Sequence, residues 1–94
     1  MLYAIIAKDV PNSLPLRKPV REQHLARLQA LADAQRLLSA GPFPLEHAVG
    51  FSGSLINAEF DSLEQARQWA DSDPYIAAGV YEDVQINPYE KVLP

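Results

Sequence analysis

The chain has 94 residues, a length that suits one hydrophobic core and is too short for two. Its 12 acidic residues outnumber its 8 basic ones, and the formal net charge of −4 argues against nucleic acids and anionic membranes as partners, because both are bound through basic surfaces. The absence of cysteine excludes disulfides, thiolate metal sites and cysteine nucleophiles.

The first residues of the chain are typical of a strand rather than of a targeting segment. Met1–Ile6 lacks the basic region of a signal peptide, and no apolar run approaches the ~20 residues of a membrane span. We therefore expect a single cytoplasmic domain over residues 1–94 that does not enter membranes.

Leu2–Asp9 is the first predicted strand, a short apolar run that ends before Pro11. Both of its faces are apolar, so both should be covered. Two helices can cover only one face of a small sheet, and a second copy of the chain is the economical cover for the other. The sequence therefore predicts a homodimer.

A long helix is predicted after a proline-containing loop. Val10–Lys18 is expected to be that loop, with Arg17 and Lys18 as solvated charges. Pro19 suits the first turn of a helix, and the helical pattern runs from there to Arg36. One helical stripe contains Val20, His24, Leu28, Leu31 and Gln35.

The remaining elements complete a recognisable order. The sequence predicts strands over Leu37–Gly41, Phe51–Phe60 and Val80–Asn87, a second helix opening at Asp61–Gln65, and a tail from Pro88. Two prolines, at 42 and 44, are expected to end the second strand. The order β-α-β-β-α-β indicates an α+β fold of the ferredoxin-like type.

His24 is the first candidate for chemistry, although a histidine in an apolar stripe is more often a satisfied core residue than a catalyst. Arg21 lies one turn earlier on the same face. A cation beside an imidazole on an inward face is costly unless an anion meets them. Asp73 is the natural anion, although an aspartate before Pro74 is also a standard helix N-cap. The two roles are compatible because a carboxylate has two oxygens.

Three further residues are expected to border the same cleft: Tyr75 through its hydroxyl, Ser39, and Gly41, where a glycine permits close backbone approach. Only two histidines are present, without metal-ligand spacing, so no metal site is expected. No nucleotide-binding or serine-nucleophile motif occurs either. The sequence therefore predicts no cofactor.

Several short stretches, taken together and in this order, resemble the YciI-like family. They are Arg21-x-x-His24-Leu25, Leu38-x-Ala40-Gly41-Pro42, Ser62-Leu63-Glu64, and Asp73-Pro74-Tyr75 followed by Gly79-Val80. The resemblance extends from Met1 to about Val92. It implies a dimeric α+β barrel and a His–Asp pair in a cleft, here His24 and Asp73. Characterised relatives include a dehydrochlorinase of a chlorinated hydroxyhydroquinone, and the wider fold group includes muconolactone isomerase and cofactor-free monooxygenases.

Two main hypotheses and a weaker one follow. The first is a cofactor-independent enzyme, of the isomerase or lyase (dehydrochlorinase) type, that acts on a small organic molecule. His24 would act as general acid or base, Asp73 would orient the ring, and Arg21 would hold an anionic substrate group. The alternative is a small-ligand binding or accessory protein without catalysis. A third hypothesis is an assembly module in which these three side chains only satisfy one another.

Overall fold

The computed structural model describes residues 1–94 as one four-stranded antiparallel sheet with helices packed on one face. In chain order the elements are β1 (Leu2–Asp9), α1 (Leu14–Arg17), a 3₁₀ turn (Lys18–Val20), α2 (Arg21–Asp33), β2 (Leu37–Pro44), β3 (Phe51–Glu59), α3 (Leu63–Asp71), α4 (Pro74–Ala77) and β4 (Tyr81–Tyr89). The strand order across the sheet is β2-β3-β1-β4. This is the ferredoxin-like arrangement, so the predicted fold class is confirmed.

The core lies between the sheet and the helices. Successive strand residues point to opposite faces, so alternate positions of β1 and β3 supply the sheet side of this core. Its buried members are Tyr3, Ile5, Leu28, Leu31, Ile56, Ala58, Phe60, Ala66 and Ala70. Burial of this apolar surface is the main force that holds the helices on the sheet.

Two of the predicted loop and strand boundaries were wrong because prolines that were expected to interrupt regular structure lie inside a helix and a strand. Val10–Lys18 is not wholly loop, because α1 forms inside it with Pro15 in its first turn, where no N–H is needed. β2 continues through Pro42 and Pro44, because it is an edge strand and loses little from a missing N–H.

Two further boundaries moved at the ends of elements. The helix that contains His24 ends at Asp33 rather than Arg36, and Gln35 then takes a left-handed φ of 59°. Gln35 is therefore outside the apolar stripe to which the periodicity assigned it. At the other end of the chain, β4 includes Pro88, which pairs with Tyr3, so the tail begins later than predicted.

The other face of the sheet has no helix on it. Ile6, on this face, is 38% exposed, and Phe43 is 39% exposed. Asn57 lies on the same face, beside Ala4 and Ser39, and is buried with an Oδ1 that has no hydrogen-bond partner. We call this surface the open sheet face. None of the helices has the length and apolar character that a membrane crossing requires.

Candidate active site

A cleft of about 300 Å³ lies between the helices and the β2–β3 side of the sheet. Its walls come from α1, the 3₁₀ turn and α2 on one side and from β2 and β3 on the other. The side chains that matter for its chemistry are Arg17, Lys18, Arg21, His24 and Tyr75. A concave site of this size, mostly apolar with a few polar groups, is typical of a small-molecule pocket.

His24 reaches this cleft because it shares the inward stripe of α2 with Leu28 and Leu31. Its Nδ1 lies 3.0 and 2.9 Å from the two carboxylate oxygens of Asp73, and its ring stacks on Tyr75 with centroids 4.0 Å apart. Both hydrogen-bond contacts of the imidazole are made by Nδ1. The ring is therefore held on one edge and one face, and Nε2 has no protein partner.

Asp73 combines the two roles that its sequence context allowed. It immediately precedes Pro74 at the start of α4, and its Oδ1 accepts the backbone N–H of Tyr75 at 2.9 Å. The same carboxylate contacts the His24 imidazole, and it is only 3% exposed. The helix cap thus fixes the position of the carboxylate that orients the imidazole.

Arg27 lies behind this pair and was not anticipated from the sequence. Its guanidinium stacks on Trp69 at 4.3 Å and donates to the Ser72 hydroxyl at 3.0 Å. Nη1 is buried without a hydrogen bond, 3.8 Å from Oδ2 of Asp73. Burial lowers the pKa of Arg27, and the charge of Asp73 opposes that effect. The signal that was overlooked is that Arg27 follows His24 by three residues, a spacing that brings both side chains to the same face of the helix.

The prediction that Arg17 is a solvated loop charge was wrong. Arg17 is 5% exposed and forms a bidentate ion pair with Asp9, at 2.7 and 3.0 Å. Its Nη2 also donates to the Gly53 carbonyl oxygen and to the Ser54 hydroxyl, at 3.2 and 3.0 Å. The Ser13 hydroxyl donates to the same aspartate. The overlooked signal was the alternation of side chains along β1, which places Asp9 on the same inward face as Ala7. A carboxylate buried there needs a cation nearby.

Arg17 also forms part of the floor of the cleft. Its guanidinium lies 4.9 Å from the Phe51 ring and 5.0 Å from the Tyr75 ring. Burial acts to lower the pKa of Arg17, but the hydrogen bonds and charge of Asp9 outweigh burial and the pKa is raised. The buried Arg17–Asp9 pair therefore supports the Tyr75 ring and, through it, His24.

Of the remaining predicted site residues, the structure brings three to the cleft. Arg21, Gly41 and Tyr75 line it, and Lys18 does so as well. Ser39 does not, because the register of β2 shifts between Leu37 and Ser39 and turns Ser39 to the open sheet face. There its hydroxyl accepts from Asn57 Nδ2 at 3.5 Å.

Tyr81 packs edge-on against Tyr75, with ring centroids 5.5 Å apart, and its hydroxyl is buried without a partner. Burial raises the pKa of Tyr81, so the unfolded chain ionises first as the pH rises. We therefore expect the free energy of unfolding to be independent of this group below about pH 10 and to fall above it.

The variant Tyr81→Phe should be as stable as wild type or more so at pH 8, because it removes an unpartnered buried hydroxyl. Its stability should also fall less steeply between pH 9.5 and 10.5 (about the range in which an unfolded tyrosine ionises). Urea unfolding across that range measures both effects. The matched control is Tyr89→Phe, at a residue that is 41% exposed. Equal slopes for wild type and Tyr81→Phe would contradict the expected linkage.

The fold and the site together define a ferredoxin-like α+β protein with a cleft of small-molecule size and a buried histidine–aspartate pair. The YCII-related domain matches residues 1–90, and the chain belongs to this family. It is 56% identical to "Protein YciI" of Escherichia coli O6:H1, an alignment that covers 99% of this chain and 100% of the relative. An uncharacterized protein of Haemophilus influenzae is 50% identical with the same coverage. The resemblance stated from the sequence motifs is thus confirmed.

Solved structures share the fold. The chain is similar to 5-chloro-2-hydroxyhydroquinone dehydrochlorinase (TftG) from Burkholderia phenoliruptrix AC1100, in complex with 2,5-dihydroxybenzoquinone. The TM-score is 0.84 at 26% identity, over 96% of this chain and 94% of that one. PA3566 from Pseudomonas aeruginosa has a TM-score of 0.54 at 6% identity, over 98% and 93% of the two chains, and shows the fold alone. The fold is therefore one that an enzyme acting on a small molecule uses.

Proposed function

We propose that this chain is a cofactor-independent enzyme that transfers a proton on a small organic molecule, as an isomerase or as a lyase of the dehydrochlorinase type. The observation that carries the proposal is the difference between the two ring nitrogens of His24. Nδ1 is held by Asp73, while Nε2 is unpartnered on a side chain that lines the cleft. A histidine whose second nitrogen is fixed by a carboxylate is the usual arrangement of a general base.

Each side chain has a distinct role in this proposal. Nε2 of His24 takes a proton from a substrate carbon and returns it to carbon or to a leaving group. Asp73 fixes the tautomer, with the proton on Nδ1, and stabilises the imidazolium that forms. Tyr75 holds the ring by stacking, and Arg21 neutralises charge that develops on a substrate oxygen.

The relationship to the dehydrochlorinase supports this class of reaction. Proton abstraction from a saturated carbon next to a carbonyl group, as in a ketone or the keto tautomer of a phenol, gives an enolate or phenolate, and this is the first step of both isomerisation and elimination. In isomerisation the proton returns to a different carbon. In elimination the electron pair forms a double bond and a halide leaves with the carbon–halogen bonding electrons. His24 performs the same proton transfer in either case.

Proton exchange in D₂O tests the proposal before the product is known. The protein is incubated with chlorinated and unchlorinated hydroxyhydroquinones and with simple enolisable ketones, and the carbon-bound protons are followed by NMR. We expect accelerated loss of a C–H signal, or conversion, for at least one compound. If every compound that binds is recovered unchanged and unexchanged, the chain is a small-ligand binding or accessory protein instead.

We also propose that residues 1–94 act as one domain that forms a homodimer in the cytoplasm, with a second copy covering the open sheet face. The support is the apolar character of that face around Ile6 and Phe43 and the unpartnered buried Oδ1 of Asn57. Light scattering should give twice the 10.4 kDa chain mass. Ile6→Lys should shift the mass to that of one chain, whereas Leu63→Lys on α3 should not. A monomeric wild type at micromolar concentration would refute the dimer.

A further inference from the structure

The ionisable side chains that line the cleft include cations but no carboxylates. Arg17, Lys18 and Arg21 line it, and no carboxylate does, in a chain whose net charge is −4. Arg17 is neutralised by Asp9. Lys18 and Arg21 form no salt bridge with any carboxylate of the chain. Two uncompensated cations therefore face a pocket in an otherwise acidic protein.

Much of the remaining lining of the cleft is apolar. Leu25, Leu28 and Ile56 line the cleft beside the cations, and Phe51 closes another part of its wall. A fully ionic ligand would leave this surface without a partner, and a hydrocarbon would leave the cations without one. The ligand that satisfies both kinds of wall has an oxyanion at one end and a compact apolar body at the other.

We propose that the cleft selects a small organic oxyanion, a carboxylate or a phenolate on an apolar body, and that Lys18 and Arg21 together bind its charged group. This inference rests on the proposed function, because it names the substrate class of the same site. It assigns to Lys18 a binding role that the sequence did not indicate.

The spacing along the chain adds a constraint on the substrate. Arg21 is one helical turn before His24, and residues so spaced have Cβ atoms about 5–6 Å apart. Both side chains line the same cleft, so a ligand whose oxyanion is held by Arg21 has the rest of its body within the cleft that His24 lines. Where the proton leaves a carbon next to a carbonyl group of the ligand, negative charge develops on the carbonyl oxygen, and the same cations neutralise it.

A matched pair of probes tests the inference. Benzoate and benzamide have the same shape and differ in charge, and each is titrated into the full-length protein while backbone amides of α2 are followed by NMR. We expect benzoate to bind in the cleft with at least tenfold higher affinity, and its affinity to fall with added salt. A third titration with 4-nitrophenolate shows whether phenolates are bound in preference to carboxylates.

Variants assign the effect to the two cations. Lys18→Gln and Arg21→Gln should each weaken benzoate binding about three- to fivefold, as expected for partly solvated charges, and leave benzamide unchanged. The matched control is Arg36→Gln, since Arg36 is exposed and stacks on Phe60 away from the cleft. Circular dichroism checks that each variant is folded.

Equal affinity for the two probes, or no saturable shift in the cleft at tens of millimolar, would overturn the inference. The result is independent of turnover. Benzoate selectivity without proton exchange on any compound would refute the proposed enzyme and leave the oxyanion site standing. Proton exchange on a neutral compound, without anion selectivity, would refute the oxyanion site and leave the proposed enzyme standing.

Discussion

Replacing Asp9 by alanine is expected to lower the free energy of unfolding by about 3–5 kcal/mol, because Arg17 then remains buried without its counter-charge. The side chains of the pair are 6% and 0% exposed, so water cannot replace the lost partner without opening the core. Urea unfolding measures the loss. Arg17→Met should be comparably destabilising, because it leaves the Asp9 carboxylate buried with only Ser13 as a donor.

The double variant Asp9→Ala, Arg17→Met tests whether the stability lost in each single variant comes from a buried charge that is left unpaired. We expect it to be more stable than either single variant, since no buried charge is left unpaired. A surface pair provides the control: Lys8 and Glu82 lie 3.1 Å apart but are 71% and 39% exposed. Lys8→Ala should cost less than about 1 kcal/mol. If Asp9→Ala costs no more than Lys8→Ala, the buried pair does not support the cleft.

His24→Gln is expected to lower proton transfer on the identified substrate by about 10²–10⁴-fold, because glutamine cannot exchange a proton near neutral pH. Asp73→Asn should also lower it substantially. Its amide can present an N–H to Nδ1, which favours the imidazole tautomer with its proton on Nε2 and disables the base. The asparagine oxygen still caps Tyr75, so the fold should survive.

The rate constant for exchange or conversion, together with the unfolding midpoint, checks these expectations. Ser39→Ala is the matched control, because Ser39 lies on the open sheet face and should leave the rate unchanged. Unchanged turnover in Asp73→Asn would remove the proposed orienting role and reduce Asp73 to a helix cap. A lower rate in Ser39→Ala would mean that the far face of the sheet takes part in the reaction.

The sequence predicted the parts of the site that depend on local rules. His24 follows from helical periodicity, and Asp73 follows from its place before Pro74, where a short polar side chain caps the next turn. Both signals span only a few residues. The chemical argument that an inward imidazole beside a cation needs an anion then joined two positions that are 49 residues apart.

The predictions were less accurate for residues whose environment depends on strand register. Ser39 was expected to border the cleft together with Gly41, but a register shift between Leu37 and Ser39 turns its side chain to the open sheet face. Pro42 was expected to end a strand that instead continues, because only the order of the sheet reveals that β2 is at an edge. Neither fact is contained in the local pattern.

Residue types and their spacing were sufficient to predict the order of strands and helices, the apolar core faces and the pairing of His24 with Asp73, because periodicity, capping and the cost of an unpaired buried charge depend on residue type and spacing. Three contacts became visible only in the folded chain: Arg17 is buried against Asp9, Arg27 lies behind Asp73, and Lys18 lines the cleft. These contacts arise when α1 and α2 dock on the sheet. The burial of a charged side chain is a property of what packs around it, which no single segment specifies.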